Sequence, residues 1–388
     1  MEKINVGIIG LGRISDLHAL GYQDNREARI YAIATRSEAT GEEKRVAWGA
    51  EKYYRDYHDL LADPEVDAVE ILTPQKLHEE MVREAAAAKK HIMVQKPMTI
   101  DLASADRMLA SVKDLDRVYK VIENYIFYPP LRKAKEMIEA GAIGEPVNLR
   151  IKFISGSRGG WEIDPRTWEW RMQENIEGRG MQTFDHGHHM WCVAWYLLGD
   201  IDRVSAWIDS ADGIVDCPAN IIWKYKDGIR YGSCDYTHCW DMEMPSDYYA
   251  NDEWFEITGS KGILLVNRCT GKLRTGPVLS HFNGRGWTHY DDLESDWSAG
   301  FKYATHNFIA AIKGREAPLL SGEEAREILK IALAIIKSSR ERREVFIDEI
   351  GREDAETYAR DRREKEIREA RGRRGLSIEE LKAMGRIL

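Results

Sequence analysis

Cysteine is scarce: the 388 residues hold five, Cys192, Cys217, Cys234, Cys239 and Cys269, an odd number with no CxxC pair. That usage fits neither a disulfide framework nor a zinc ribbon, and a reducing, cytoplasmic compartment is the expectation. Basic charge is also in deficit, with 56 Lys and Arg against 65 Asp and Glu for a formal net charge of −9. Binding nucleic acid by phosphate neutralisation needs the opposite balance, so no nucleic-acid partner is expected. No stretch approaches the roughly 18 consecutive apolar residues of a membrane span. The opening Met1-Glu2-Lys3-Ile4-Asn5-Val6 enters an apolar run without a basic leader, so neither a membrane nor a secretion signal is expected. Tryptophan is nearly missing from the first 150 residues: Trp48 stands alone there, and the other 11 of 12 follow. At about 150 residues per domain the length gives two domains, and the skew gives them different tasks.

What is present is a rhythm. Short β-branched runs at 4–9, 29–34, 68–72, 91–94 and 118–122 alternate with helical stretches such as 75–89 and 101–112. This is the pattern of a doubly wound parallel sheet, an α/β fold. After Tyr128-Pro129-Pro130 the rhythm changes. A helix carrying Leu131, Ala134, Met137 and Ile138 on one face stops at Gly141, and longer strands follow from 147–154. The turn Lys226-Asp227-Gly228 joins 221–225 to 229–236 as a hairpin, so this part reads as α+β with an antiparallel sheet. The expected domains are 1–125 for a dinucleotide, 126–345 for substrate and oligomerisation, and 346–388 as a charged tail. Residues 340–374 hold 12 basic and 11 acidic side chains, a mixture that marks a solvated helix or tail. Leu381, Met384 and Leu388 space a short amphipathic helix that either docks or frays.

Gly7-Ile8-Ile9-Gly10-Leu11-Gly12-Arg13-Ile14-Ser15 follows the first strand and opens a helix. In that context Gly10 permits a tight turn, Gly12 lets backbone approach a pyrophosphate at the helix N-terminus, and Ser15 is small enough for helix-to-strand packing. An NAD site asks for a carboxylate at the end of the second strand. Here the strand ends Ala34-Thr35-Arg36-Ser37, with no acid before Glu38. A guanidinium and two hydroxyls suit a 2′-phosphate, so NADP is expected over NAD, with Arg36 as a plain surface residue the alternative.

Thr73-Pro74 and Gln95-Lys96-Pro97 follow the 68–72 and 91–94 strands, whose ends face the cofactor crevice. Lys96, between a buried strand and a proline, is either a held catalytic lysine or a solvated one. Further on comes Asp185-His186-Gly187-His188-His189. If Asp185 starts a helix, Asp185 and His189 lie at i and i+4 on one face, a carboxylate beside an imidazole able to take a proton near neutral pH. Two alternatives stand beside this: Asp185 as an N-cap, or the three histidines as metal ligands, for which no HExxH or partner motif appears. The segment 158–171 packs Trp161, Trp168, Trp170, Arg158, Arg166 and Arg171 together. Flat aromatics beside charged groups suit a sugar, whereas Trp191, Trp195, Trp207 and Trp223 read as core or subunit interface.

These pieces together resemble the Gfo/Idh/MocA oxidoreductase family. The matching motifs are the glycine turn, Leu72-Thr73-Pro74 with His78 close behind, Gln95-Lys96-Pro97, Asn124 to Pro129, the passage Ile138 to Pro146, and the Asp185 and His189 pair, over about 1–345. The resemblance implies a Rossmann domain followed by an α/β domain on a large open, mostly antiparallel sheet. It implies an NAD(P)-dependent dehydrogenase acting on a hydroxyl of a sugar, anhydrosugar, polyol or glycoside, assembled as a homodimer or homotetramer. Carried over to this chain, the cofactor residues are Gly10, Gly12, Arg13, Ile14, Arg36, Ser37, Thr73, Pro74, His78, Gln95, Lys96, Asn124, Trp168 and Arg171. Substrate contacts fall on Lys96, Tyr128, Arg158, Trp161, Asp185 and His189, with no metal. Catalysis is expected from His189 as base, Lys96 on the reacting oxygen and Asp185 as the orienting group. The family usually reads Glu-Lys-Pro, so Gln95 is a departure. Two other activities remain in view: an NAD-dependent glycoside-cleaving enzyme working by transient oxidation and elimination, and a non-catalytic NADP-sensing protein.

Overall fold

Among the described residues six short strands lie side by side and all parallel: β1 (Ile4–Ile9), β2 (Ala28–Ala34), β3 (Lys52–Tyr54), β4 (Ala68–Ile71), β5 (His91–Gln95) and β6 (Tyr119–Ile122). The computed structural model describes residues 3–23, 25–162, 171, 179–210 and 215–351. The strand order is β3-β2-β1-β4-β5-β6, which reverses direction between β1 and β4, the switch point where doubly wound sheets bind ligands. Crossover helices α1 (Ser15–Gln23), α2 (Glu38–Trp48), α3 (Tyr57–Ala62), α4 (His78–Ala87) and α5 (Leu102–Val112) separate the strands. Val6, Ile8, Ile92, Met93 and Val94 are fully buried, as in a sheet covered on both faces. The three-residue β3 carries no readable pattern in the sequence, and the 75–89 stretch divides into a 3-10 turn, Gln75–Leu77, followed by α4.

The second unit begins with α6 (Pro129–Glu139), which stops where its sequence says it should: Gly141 takes φ +74° and its N–H donates to the Ile138 carbonyl. Its sheet has nine strands: β7 (Pro146–Arg158), β8 (Ile201–Ile208), β9 (Ala219–Tyr225), β10 (Tyr231–Glu243), β11 (Asn251–Gly259), β12 (Ile263–Val266), β13 (Leu279–Phe282), β14 (Trp287–Tyr290) and β15 (Val345–Phe346). The order is β14-β13-β12-β11-β7-β10-β9-β8-β15, and among the described residues only β7 and β10 pair parallel. Along β9, Ala219, Ile221, Trp223 and Tyr225 are buried while Asn220 and Ile222 are exposed, so one face is core and the other open. The inner face meets α7 (Gly187–Leu198), with Trp191 edge-on to Trp223 at 6.1 Å and the Tyr225 hydroxyl donating to the Ala194 carbonyl. Trp191 and Trp223 are thus core, Trp195 is half-buried, and Trp207 is 64% exposed on the outer face.

The chain then returns to the first unit, which comprises Met1–Tyr128 together with Ser298–Leu329. Helix α8 (Ser298–Ile312) lies against α1 so closely that a Cβ on Gly21 would stand 2.4 Å from that of Thr305; only glycine fits. Helix α9 (Gly322–Glu341) follows. Alternation along the sequence does not signal this return. Among the described residues no helix is long and apolar enough to cross a membrane. The tail helix expected around Leu381, Met384 and Leu388 lies outside the described residues.

Candidate active site

The strand ends of the first unit bring the cofactor candidates to one edge. At the end of β1, Gly10 has φ +92° and donates its N–H to the Ala34 carbonyl; a Cβ there would sit 2.9 Å from the Leu72 carbonyl oxygen. Only glycine makes this turn without strain. Gly12 is exposed, and nothing lies within 4 Å of where its Cβ would be, so the backbone at the N-terminus of α1 is open to a phosphate. Ser15 is fully buried, its hydroxyl donating to the Gly12 carbonyl at 2.6 Å, as expected of the residue that replaces a third glycine. Arg13 is exposed and Ile14 half-buried beside it. Arg36 is exposed two residues beyond β2, and Ser37 caps α2 by accepting from the Thr40 N–H.

Beyond β4, Thr73 and Pro74 are half-buried. His78 is fully buried: Nε2 lies 2.8 Å from the Thr73 carbonyl, and Nδ1 lies 3.1 and 3.2 Å from the carbonyls of Pro97 and Met98. Its ring is therefore a clamp between two loops at the crevice rather than an exposed cofactor contact. Burial lowers its pKa, the Lys96 charge adds to this, and the three carbonyls oppose it. Gln95 and Lys96 are half-buried at the end of β5, and the Gln95 Oε1 accepts the Lys96 backbone N–H at 2.8 Å. Asn124 is 3% exposed, and its Nδ2 is buried with no hydrogen-bond partner among the described residues. An open glycine turn and a buried unused amide donor fit a dinucleotide. Tyr128 is completely buried, which leaves no ring surface to offer a ligand.

In the second unit the Asp185 and His189 pair is built differently from its expected form. Asp185 does not start an α-helix. It lies in a π-helical turn, Met181–His186, where its N–H donates to the Gly180 carbonyl five residues back, and α7 begins only at Gly187. A carboxylate from another loop holds the start of this turn. Asp216 accepts the Gln182 N–H at 2.8 Å, the Thr183 N–H at 2.7 Å and the Thr183 hydroxyl at 2.5 Å, filling the donors at the start of the turn. Asp185 and His189 are each 7% exposed. The Asp185 carboxylate pairs with Arg171 at 3.3 Å, so Arg171 stands beside the catalytic candidate. Asp185 is not a helix cap.

The preceding histidine has a place the sequence reading did not assign. The His186 Nε2 lies 3.1 Å from Glu253 Oε1, and its ring packs at 4.3 Å on Phe153 and 5.4 Å on His189. Glu253, fully buried, also accepts from Asn251 and from the Thr270 N–H and hydroxyl. Its neighbour Asp252 is held by the N–H groups of Glu253, Cys269, Gly271 and Leu273. Burial raises the Asp252 carboxyl to about 6, with the Glu253 charge adding to it. Two acids side by side in a strand were the available signal. No group of three or more His, Cys, Asp or Glu among the described residues could hold a metal. Trp161 is half-buried, edge-on to Tyr248 and Tyr249 at 5.3 and 5.2 Å, and Arg158 is exposed at the end of β7. Trp168 lies outside the described residues.

Comparison with known proteins matches residues 4–123 to the GFO/IDH/MocA oxidoreductase family, NAD-binding Rossmann fold, and residues 131–265 to the GFO/IDH/MocA C-terminal domain. A myo-inositol 2-dehydrogenase of Thermotoga maritima is 31% identical over 359 residues, covering 89% of this chain and 99% of that protein. A crystal structure of a probable dehydrogenase from Thermotoga maritima superposes with a TM-score of 0.73 at 27% identity, over 89% of this chain and 100% of that one. A levoglucosan dehydrogenase in complex with NADH and levoglucosan superposes with a TM-score of 0.72 at 25% identity, over 89% and 100%.

Proposed function

This chain belongs to the GFO/IDH/MocA family of NAD(P)-binding oxidoreductases, and from that premise we propose that it oxidises a ring hydroxyl of a cyclic polyol, sugar or anhydrosugar. The observation that carries the reading is the Lys96 turn. A half-buried lysine stands at the carboxyl end of β5, on the sheet edge that holds the glycine turn of β1 and the Thr73 turn of β4. Gly10, Gly12 and Asn124 would hold the dinucleotide, which when bound supplies the hydride acceptor. His189 takes the hydroxyl proton, Lys96 hydrogen-bonds the same oxygen as negative charge develops, and Asp185, partnered by Arg171, orients the reacting group. A panel of inositols, pyranoses, anhydrosugars and glycosides, assayed with NAD+ and NADP+ by nicotinamide absorbance, tests this. Steady reduction of the cofactor by one class supports it. Aglycone release without net reduction assigns the glycoside-cleaving chemistry instead, and tight dinucleotide binding with no turnover assigns a sensor.

For the cofactor we infer a preference for NADP. Arg36 is exposed just past β2, and no carboxylate precedes it at the strand end. Arg36→Ala is expected to weaken NADP binding about ten- to a hundredfold while changing NAD binding little, since a charge-assisted contact to phosphate is worth about 1.5–3 kcal/mol. Calorimetric titration checks it, and NAD binding ten times tighter than NADP in the unaltered protein removes the preference.

We further place the protein in a reducing, cytoplasmic setting, in keeping with an odd number of cysteines and no CxxC pair, and acting on a small carbohydrate. The outer face of the nine-stranded sheet exposes Trp207, Ile222, Tyr231 and Phe346. Apolar surface of this kind suits a homodimer or homotetramer. Sedimentation is expected to show an oligomer that Trp207→Glu weakens; a monomer at micromolar concentration ends that reading.

A further inference from the structure

The lysine turn is backed by a chain of buried polar groups that runs away from the crevice. Gln95 reaches His18 of α1, Nε2 to Nε2, at 2.9 Å; the His18 Nδ1 lies 2.5 Å from Glu70 Oε1 on β4; and the Tyr22 hydroxyl donates to Glu70 Oε2 at 2.8 Å. His18 and Glu70 are fully buried and Tyr22 is 4% exposed. One fixed donor determines the direction of every bond. The Lys96 backbone N–H can only donate, so the Gln95 atom facing it is the oxygen, and the Gln95 NH2 must face His18. His18 Nε2 is then an acceptor, its proton sits on Nδ1, and that proton points at the Glu70 carboxylate.

We propose that Glu70, His18 and Gln95 are a positioning relay for Lys96, in which the neutral amide at 95 is matched to a singly protonated imidazole and the charge stands two groups back, on the Glu70 carboxylate. This rests on the reading of Lys96 as the group that meets the reacting oxygen. A glutamate at 95 would set an oxygen against the His18 Nε2 lone pair, and with Nδ1 still donating to Glu70 a second proton on the ring restores the bond between the two ionised carboxylates. The relay holds the Lys96 turn from one side while the His78 clamp on the Pro97 and Met98 carbonyls holds it from the other. Glu70 is the natural anchor because its surroundings keep it paired. Burial and the Glu70 charge raise the Tyr22 hydroxyl far above its ordinary value, so Tyr22 remains a donor. Lys120 on β6, fully buried, is lowered to about 7 by burial, with Glu70 and Glu316 opposing the fall. Tyr22 and Lys120, together with the Phe301 ring edge-on to His18 at 5.0 Å, surround the relay, and Glu316 faces Lys120.

Nitrogen-15 NMR of the histidine-labelled full-length protein tests the relay without any substrate. The expected result is a His18 ring, identified by its loss in His18→Gln, that is neutral with the proton on Nδ1. In Gln95→Glu the ring is expected to hold both protons at pH 7. Because a ring bridging two carboxylates keeps its second proton until the pH rises, kcat in that variant gains a descending alkaline limb that the parent lacks. Glu70→Gln removes the charge and keeps an oxygen for the His18 Nδ1 proton, while its NH2 takes the place of the oxygen that accepts from Tyr22; it is expected to lower kcat about tenfold with KM for either substrate within about threefold. A proton on Nε2 in the parent protein, or a Gln95→Glu profile that superposes on it, overturns the relay. Full activity in Lys96→Ala with the Nδ1 tautomer intact would instead overturn the assignment of Lys96 and leave the hydrogen-bond chain standing.

Discussion

Replacing His189 by alanine is expected to lower kcat at least about a hundredfold, and replacing Lys96 by alanine to do the same, because a positioned acid–base group contributes roughly 10² to 10⁴ in rate, about 3 to 5 kcal/mol of barrier. The two losses differ in kind. Without His189 the hydroxyl proton has no acceptor held in place, so residual turnover is expected to keep climbing with pH as solvent hydroxide substitutes. Without Lys96 the developing negative charge loses a donor, and no solvent base replaces that. Dinucleotide affinity is expected to remain within about threefold in both, since Gly10, Gly12 and Arg36 lie on other loops. Steady-state kinetics across pH, paired with fluorescence titration of the dinucleotide, separates the effects. Full turnover in either variant removes that residue from the chemistry.

How far the sequence reaches is best judged on these residues. The glycine turn was legible because its signal is local: strand, Gly10, Gly12 and helix lie within about a dozen residues, and backbone geometry alone dictates them. The whole first sheet was legible for the same reason, except β3, whose three residues are too few to show a period. Glu70, which the sequence analysis passes over, is a carboxylate in the otherwise apolar run Ala68-Val69-Glu70-Ile71 of a doubly covered strand. Its meaning was not legible, because its partners come from α1 and β5 and the sheet brings them together only by placing β4 beside β5. His78 was found as a motif residue, yet its role as a clamp depends on three carbonyls up to 20 residues away.

The charged part of the second unit was harder to read. An i, i+4 argument assumes α geometry, and nothing near Asp185 warns that the turn is π-helical; the carboxylate at its start arrives from more than 30 residues later. The return of α8 to the first unit is equally silent, since its packing on α1 depends on Gly21 and Thr305, nearly 300 residues apart. The tryptophan skew was real but divided unevenly, with Trp191 and Trp223 in the core and Trp207 on the outer face.

Asp216 connects that distant geometry to the reaction, and Asp216→Ala is expected to cost about 2–4 kcal/mol of stability by leaving two N–H groups and a hydroxyl without their acceptor. Those donors open the π turn that carries Asp185 and leads into the first turn of α7, where His189 stands. The substitution should therefore lower the thermal midpoint, by roughly 5 to 15 °C for a domain of this size, and also lower kcat at temperatures where the protein remains folded. Asp216→Asn separates the two effects. Its oxygen still serves one side of the pair, but its NH2 faces a backbone donor on the other, so a smaller midpoint shift with a persisting fall in kcat marks the turn as the device that positions Asp185 and His189. Calorimetry and kinetics on both variants decide the matter, for if kcat per folded molecule is unchanged, the Asp216 carboxylate holds the fold alone and His189 is placed by α7 itself.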